Sequence, residues 1–323
     1  QAESAVGYDS AVMAKTFRRQ SASSRAPVTG AGLERPYRVS VVAPTLGSRK
    51  DFHWFLWACF MGQTWKDKEL IVVETYEKEP SSFFVEKARK YENIIYVGLP
   101  HELSIGLKRN IGLHLASGEV IANFDDDDLY APNYIEAMLE HLEGQNAVAV
   151  TLSTWYDFDQ KQNKCGFVDP IALGSDDPLG LSEGLLPSKQ PCVAPEDRVA
   201  PPDARDTLFG YGFSYVHMRV PALARPYPDT YLGEDVAFIA GLQKSLGQQC
   251  VRLVRDEVGI CLHRMHGGNT ADSAVHRDAT PDEVMGLAVW QFDFATPLRE
   301  AWQASFSPRP GAGRIRDSAR SAA

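Results

Sequence analysis

Four consecutive carboxylates, Asp125-Asp126-Asp127-Asp128, close the apolar run Val120-Ile121-Ala122-Asn123-Phe124. Adjacent like charges repel unless something positive joins them, and clustered carboxylate oxygens suit a hard divalent cation. A β-rich run ending in aspartates reads as a buried strand carrying charge to its C-terminal tip. In open α/β sheets that edge binds ligands. The competing reading is a solvated acidic turn. Other segments also carry chemistry. Arg109, in Lys108-Arg109-Asn110, has a fixed fork of donors for a base or a phosphate, or lies on a solvated helix face. Glu234-Asp235 stands at a helix start, where the macrodipole favours carboxylates in any case and where one could act as a general base. His263-Arg264-Met265-His266-Gly267-Gly268 places two imidazoles beside glycines that let a backbone approach phosphate. Trp155, Tyr156, Tyr211 and Phe213 could form a platform for a sugar ring or fill the core.

The elements that would position these residues alternate. Strands are predicted at Val39–Ala43, Glu69–Glu74, Ile94–Val97 and Val120–Phe124. Helices are predicted at Asp51–Met61, from a Ser81 cap to about Tyr91, at Ser104–Ala116 with Gly118 beyond it, and from Pro132 to about Leu142. This order implies βαβ units and a mostly parallel sheet with right-handed crossovers. A second region opens at Ala147–Trp155. A stretch dense in Pro, Gly and Asp follows from about Asp157 to Asp206, long enough for a lid or binding loop. Beyond it come a strand at Phe213–Arg219, a helix at Glu234–Leu246 ended by Gly247, a strand at Val251–Val254 and a late helix at Pro281–Phe294. Four divisions result: a flexible arm at residues 1–36 with a short helix near Ala11–Arg19, a first half at 37–155, a second half at 156–304 and a disordered tail at 305–323.

The 323 residues, 44% hydrophobic and 10% aromatic, support a sizeable core. A net charge of -9 argues against nucleic acid as a partner. Cys59, Cys165, Cys192, Cys250 and Cys261 are odd in number and contain no CxxC, so reduced thiols are expected. No apolar run reaches membrane-spanning length. A soluble, reducing, cytoplasmic location fits best, and the initial Gln reads as a removed leader or the start of a fragment. GxGxxG, GxxxxGK[ST], HExxH and GxSxG are all absent, so neither a dinucleotide fold nor a P-loop is supported.

Four segments in order resemble the family 2 nucleotide-sugar glycosyltransferases with the A-type fold. They are Val39–Pro44 with Thr45; Met61-Gly62-Gln63-Thr64-Trp65 leading into Glu69–Glu74; Gly106-Leu107-Lys108-Arg109-Asn110-Ile111-Gly112 through Ala116-Ser117-Gly118-Glu119 to the acidic run; and Gly233-Glu234-Asp235 with His263–Thr270 behind it. The resemblance implies a Rossmann-like α/β sheet flanked by helices, with an α+β extension on the acceptor side. It places Pro44, Thr45, Glu74, Arg109, Asn110, Asp125 and Asp126 at the donor nucleotide. It gives Asp127 and His266 to a Mn2+ or Mg2+ ion. The register stays open, because Asp126 and Asp128 fit the same DXD pattern and His263 competes with His266. Asp128 otherwise reads as a capping or supporting residue, and Arg264 could meet phosphate. Asp235 would be the catalytic base of an inverting reaction, supported by Glu234, with Trp155 and Tyr211 on the acceptor side. Glu74-Thr75 departs from the family's Asp pair, so the nucleotide is open: a UDP-sugar is favoured, with a GDP-sugar as second candidate. The acceptor would be a hydroxyl of a glycan, glycolipid or small molecule. The rival readings are a glycoside hydrolase, whose two carboxylates must flank the scissile bond, and a binding module that kept the fold without turnover.

Overall fold

The computed structural model describes residues 37–173, 208–267, 269 and 275–291. The predicted arm, the tail, the helix near Ala11–Arg19, Cys192 and most of the Pro-rich stretch lie outside the described residues. The first half alternates as expected: β1 Val39–Leu46, α1 Lys50–Gly62, β2 Lys68–Thr75, α2 Ser82–Lys90, β3 Ile94–Leu99, α3 Ile105–Leu115 and β4 Val120–Asn123. Ser81 and Ser104 cap α2 and α3 by accepting from Phe84 N and Leu107 N, leaving fewer orphan donors in each first turn. Then come β5 Leu129–Tyr130, α4 Tyr134–Gly144, β6 Ala149–Asp159 and β7 Lys164–Val168. These are followed by β8 Val216–Met218, α5 Arg219–Ala224, α6 Glu234–Leu246, β9 Val251–Arg255, β10 Cys261–Met265, β11 Arg277–Asp278 and α7 Pro281–Gly286.

The strands form one curled mixed sheet. β3, β2, β1 and β4 lie side by side and parallel. β8 then runs antiparallel between β4 and β6, and β9 and β10 pair parallel with β6. The connection order reverses between β1 and β4, which opens a crevice at their C-terminal ends. Alternate residues of β1 and β2 face opposite layers. Val39, Val41, Ala43, Leu70 and Val72 pack with Leu56, Phe60 and Phe84 of α1 and α2. Val42, Ile71 and Val73 pack with Leu113, Phe238 and Leu242 of α3 and α6. Both faces of the parallel strands are therefore covered, as an α/β sheet requires.

Several boundaries differ from the sequence reading. Tyr156-Asp157-Phe158-Asp159 extends β6 and pairs antiparallel with β7, so the first dozen residues of the supposed loop form a hairpin. Asn163, at φ 51, supplies its tight turn. β6 also runs through residue 155, so the two proposed halves share a strand. Phe213 lies in a 3-10 turn, Gly212–Ser214, and the chain turns helical at Arg219, which leaves a strand of only Val216–Met218. Pro132 precedes α4 instead of opening it, since Asn133 is the capping position. The late helix stops at Gly286 and continues as a 3-10 turn, Ala288–Gln291. Cys59, Cys165, Cys250 and Cys261 are free, buried thiols. Among the described residues, no helix is long and apolar enough to cross a membrane.

Candidate active site

The acidic run leaves β4 at the crevice between β1 and β4, and each of its carboxylates has a different partner. Phe124 stacks on Tyr130 with centroids 3.8 Å apart. Asp125 N donates to the Tyr130 hydroxyl at 2.9 Å, which in turn donates to Phe213 O at 3.1 Å. These contacts set the direction in which the loop departs. Asp126 faces β1: the Thr45 hydroxyl donates to it, and Arg49 approaches it with Nε at 2.8 Å and Nη2 at 2.7 Å. Arg49 also pairs with Asp127, whose Oδ2 lies 2.9 Å from His266 Nε2. Burial pushes the Asp127 carboxyl up, but hydrogen bonds from His266 and Arg49 outweigh it and hold the group below the usual carboxylate range. Burial leaves Asp125 and Asp126 raised, although Arg109 and Arg49 oppose it.

Asp128 caps no helix. It is fully buried and accepts from Arg264 N at 3.0 Å, and it lies 2.9 Å from His263 Nδ1. Burial lowers the His263 pKa, but Asp128 more than reverses this and raises it to about 10. The two candidate histidines thus separate: His263 belongs to Asp128, and His266 reaches Asp127. Asn269 aims the turn behind β10, accepting from His266 N and donating to Arg264 O, both at 2.8 Å. Asp256 holds the loop ahead of β10. Its carboxylate accepts from the backbone N–H groups of Val258, Gly259, Ile260 and Cys261 at 2.7–3.1 Å.

Arg109 is 2% exposed and turned away from solvent. Its Nη1 lies 3.0 Å from Glu234 Oε1 and donates to Asp235 Oδ1, and its Nη2 lies 3.5 Å from Asp125 Oδ1. One guanidinium therefore bridges the acidic loop and the first turn of α6. These carboxylates offset the cost of burying the Arg109 charge. Asn110 follows Arg109 on α3. Its side chain donates to Tyr227 O at 2.8 Å and accepts from Tyr227 N at 3.0 Å, so it latches a neighbouring segment. Lys108 faces the crevice instead, donating to Thr45 O at 3.0 Å. Burial lowers its pKa to about 8, with Asp126 opposing. Pro44 and Glu74 sit at the ends of β1 and β2. Glu74 is fully buried, accepts from Ser81 N at 3.0 Å through Oε1, and has no hydrogen-bond partner at Oε2. Burial raises its pKa.

Of the aromatic residues, Trp155 is 1% exposed and donates to Asp157, so it is core and offers no open face. Phe213 and Tyr156 are likewise buried, while the half-buried Tyr211 packs on Trp155 at 5.0 Å. Four residues at this site carried no individual role in the sequence reading: Arg49, Lys108, His53 and Gly212. Arg49 and Lys50 form a basic pair shortly after β1, and Lys108 lies inside a quoted segment, so both left a signal. His53, 3.2 Å from the Thr45 hydroxyl, and Gly212, whose N donates to Asp235 Oδ2 at 3.0 Å, left none.

Asp125, Asp127 and Asp128 each offer a carboxylate oxygen within 4.8 Å of the others. Asp125 Oδ1 is buried without a hydrogen-bond partner. Such an oxygen-rich set with an adjacent imidazole fits Mn2+ or Mg2+. Residues 40–165 match the family model described as glycosyl transferase family 2. An uncharacterized glycosyltransferase of Methanocaldococcus jannaschii is 28% identical over 103 residues, which are 31% of this chain and 36% of that protein. The uncharacterized glycosyltransferase YibD of Escherichia coli is 31% identical over 122 residues, 36% of this chain and 34% of that protein. The chain thus spans about a third of the length of these curated relatives. The crystal structure of TarS from S. aureus, 16% identical, aligns with a TM-score of 0.50 over 71% of this chain and 37% of that one, a likeness of fold. Residues 40–165 are thus similar to glycosyltransferase family 2, and the described residues share the A-type α/β fold.

Proposed function

We propose that the chain transfers a sugar from a nucleoside-diphosphate sugar to an acceptor hydroxyl, with a divalent cation at the aspartate loop and inversion at the anomeric carbon. The arrangement of carboxylates carries this reading: an acidic loop at the β1–β4 crevice faces Asp235 on α6, with Arg109 between them. Asp125, Asp127, Asp128 and His266 would hold the cation, which neutralises charge on a departing diphosphate. Lys108 adds positive charge at the same edge, and the unpaired Oε2 of Glu74 can accept from a nucleotide hydroxyl or base N–H. A UDP-sugar is the favoured donor and a GDP-sugar the second. Glycan, glycolipid and small-molecule hydroxyls are the candidate acceptors.

Asp235 takes the acceptor proton. The acceptor oxygen bonds to the anomeric carbon, the bond from that carbon to the diphosphate oxygen breaks, and its electron pair leaves with the diphosphate. Asp235 Oδ1 accepts from Arg109 and Oδ2 from Gly212 N. A carboxylate oxygen has two acceptor sites, so each can still receive a proton. Attack from the face opposite the leaving group inverts the centre.

Calorimetric titration with UDP and GDP, with Mn2+ and then with EDTA, tests the donor site. Metal-dependent binding of one diphosphate, abolished in Asp127→Ala, is expected. Turnover should disappear in Asp235→Asn while that binding survives. Absence of diphosphate binding with and without the metal refutes the proposal, and a product of retained configuration refutes inversion.

A further inference from the structure

We propose that Arg109 and Gly212 together form a clamp that aims Asp235, so that both are positioning residues for proton abstraction. The inference rests on the role assigned to Asp235 above. The side chain is fixed on both oxygens from two directions. Oδ1 accepts from Arg109 Nη1, and Oδ2 accepts from Gly212 N at 3.0 Å. Neither partner is free to drift. Arg109 is buried and also paired to Glu234 at 3.0 Å and to Asp125 at 3.5 Å. The Gly212 carbonyl accepts from Asn123 Nδ2 at 3.1 Å, and Asn123 belongs to β4, the strand that bears the acidic loop. The position of the base is thereby referred to the donor-side strand twice, once through a guanidinium and once through a peptide group.

Glycine is required at residue 212 by proximity. A Cβ there would overlap Asp235 Oδ1 and stand 2.5 Å from both Asp235 Cγ and Arg109 Nη1. The backbone at Gly212 is outside the left-handed region, so alanine is not excluded by conformation. Gly212→Ala is therefore a charge-neutral displacement of the base. Displacing a catalytic group by about 1 Å can cost on the order of 100-fold in rate.

The experiment measures nucleoside-diphosphate release from UDP- and GDP-sugars, together with calorimetric UDP and GDP affinity. The proteins are wild type, Gly212→Ala, Arg109→Lys and Arg109→Gln, each checked for a cooperative thermal transition. In Gly212→Ala, kcat should fall about 100-fold while donor KM and diphosphate affinity stay within about threefold, because the nearest atoms the added Cβ meets are those of Asp235 and of Arg109 Nη1 beside it, and not Lys108, Asp127 or His266. Arg109→Lys keeps the charge without the fork, and should retain more kcat than Arg109→Gln, with KM again steady. If wild type turns over and Gly212→Ala matches it in kcat, the clamp is refuted and the transferase proposal stands. Equal losses of kcat and diphosphate affinity also refute it, since they mark a general disruption. If the Arg109 variants do not fold, Gly212→Ala decides alone. If wild type releases no diphosphate from any donor, the clamp and the transferase proposal fall together.

Discussion

Arg49→Gln is the most informative single perturbation of the donor edge, because its effects on stability and on metal binding should have opposite signs. Arg49 is 19% exposed at its side chain and joins two carboxylates, Asp126 and Asp127, that are 3% and 7% exposed. Its charge stands where a cation would otherwise be needed. Removing one partner of a buried ion pair leaves uncompensated charge and costs about 3–5 kcal/mol. For a domain of this size each kcal/mol lowers the melting temperature by about 2–4 °C, so a loss of about 3 kcal/mol is about 6–12 °C. The same substitution removes a competitor and a repulsive charge from the oxygens available to Mn2+. Affinity for Mn2+ without nucleotide should rise at least about tenfold, worth about 1.4 kcal/mol. At Mn2+ concentrations about 100 times the dissociation constant, the ion contributes about 2.7 kcal/mol, recovering most of what the variant lost. Differential scanning fluorimetry over a Mn2+ series, with calorimetry for affinity, reads both signs. A variant that melts within about 2 °C of wild type refutes the argument. So does equal stabilisation of the two proteins by Mn2+, because Arg49 would then not be the local counter-ion.

Other consequences are open to the same instruments. Asp256→Ala should cost about 3–5 kcal/mol in urea unfolding, since three buried backbone donors and a part-buried one lose their shared carboxylate; a loss below about 1 kcal/mol would contradict that role. Asn110→Ala should lower stability by about 2 kcal/mol through its two bonds to Tyr227, yet change UDP or GDP affinity by less than about threefold. A large affinity loss would return Asn110 to the donor site. Burial lowers the His217 pKa to about 4, so between pH 6.5 and 4 the unfolded chain binds the proton that the folded chain refuses. The stability of wild type relative to His217→Gln should therefore decline as pH falls through that window, by about 3 kcal/mol at 1.36 kcal/mol per unit. The difference is the proper readout, because Asp128 and Asp256, raised to about 6 by burial, pull the absolute profile the other way. A pH-independent difference would show that His217 titrates normally.

What could be read from the sequence was written in local periodicity. The strands β1 to β4 are runs of four to eight residues with both faces apolar, and Ser81 and Ser104 mark their helices by capping chemistry that spans three residues. The acidic run lies next to the strand that positions it, so its place at the crevice needed only the parallel topology. The partners of these groups were not local. Arg49 and Asp126 are 77 positions apart, Arg109 and Asp235 are 126, and His263 and Asp128 are 135. No period or spacing couples such pairs, and the choice between His263 and His266 depended on β10 for the first and on the Asn269 turn behind it for the second. The short strands β5 and β11 were equally hidden, because two residues carry no alternation to detect, whereas β8 was read with bounds too wide.

The segment Lys108-Arg109-Asn110 shows how one helix can organise a site assembled from distant parts. Successive residues on an α-helix are turned by about 100°, so three in a row fan across more than half of its circumference. Here the fan is used in full. Lys108 reaches the end of β1, Arg109 reaches Asp125 and the start of α6, and Asn110 holds the Tyr227 segment that leads towards α6. Gly106 and Gly112 permit this seating: a Cβ at the first would run into Pro228 O, and at the second into Val42 of β1. α3 therefore lies close to the sheet on one side and to the Tyr227–Gly233 segment on the other. A shift of this helix would move the donor edge, the base and the latch together. Substitutions that loosen its seating, such as Gly112→Ala, should thus impair diphosphate binding and turnover in parallel. Gly212→Ala, acting beyond the helix, should separate them.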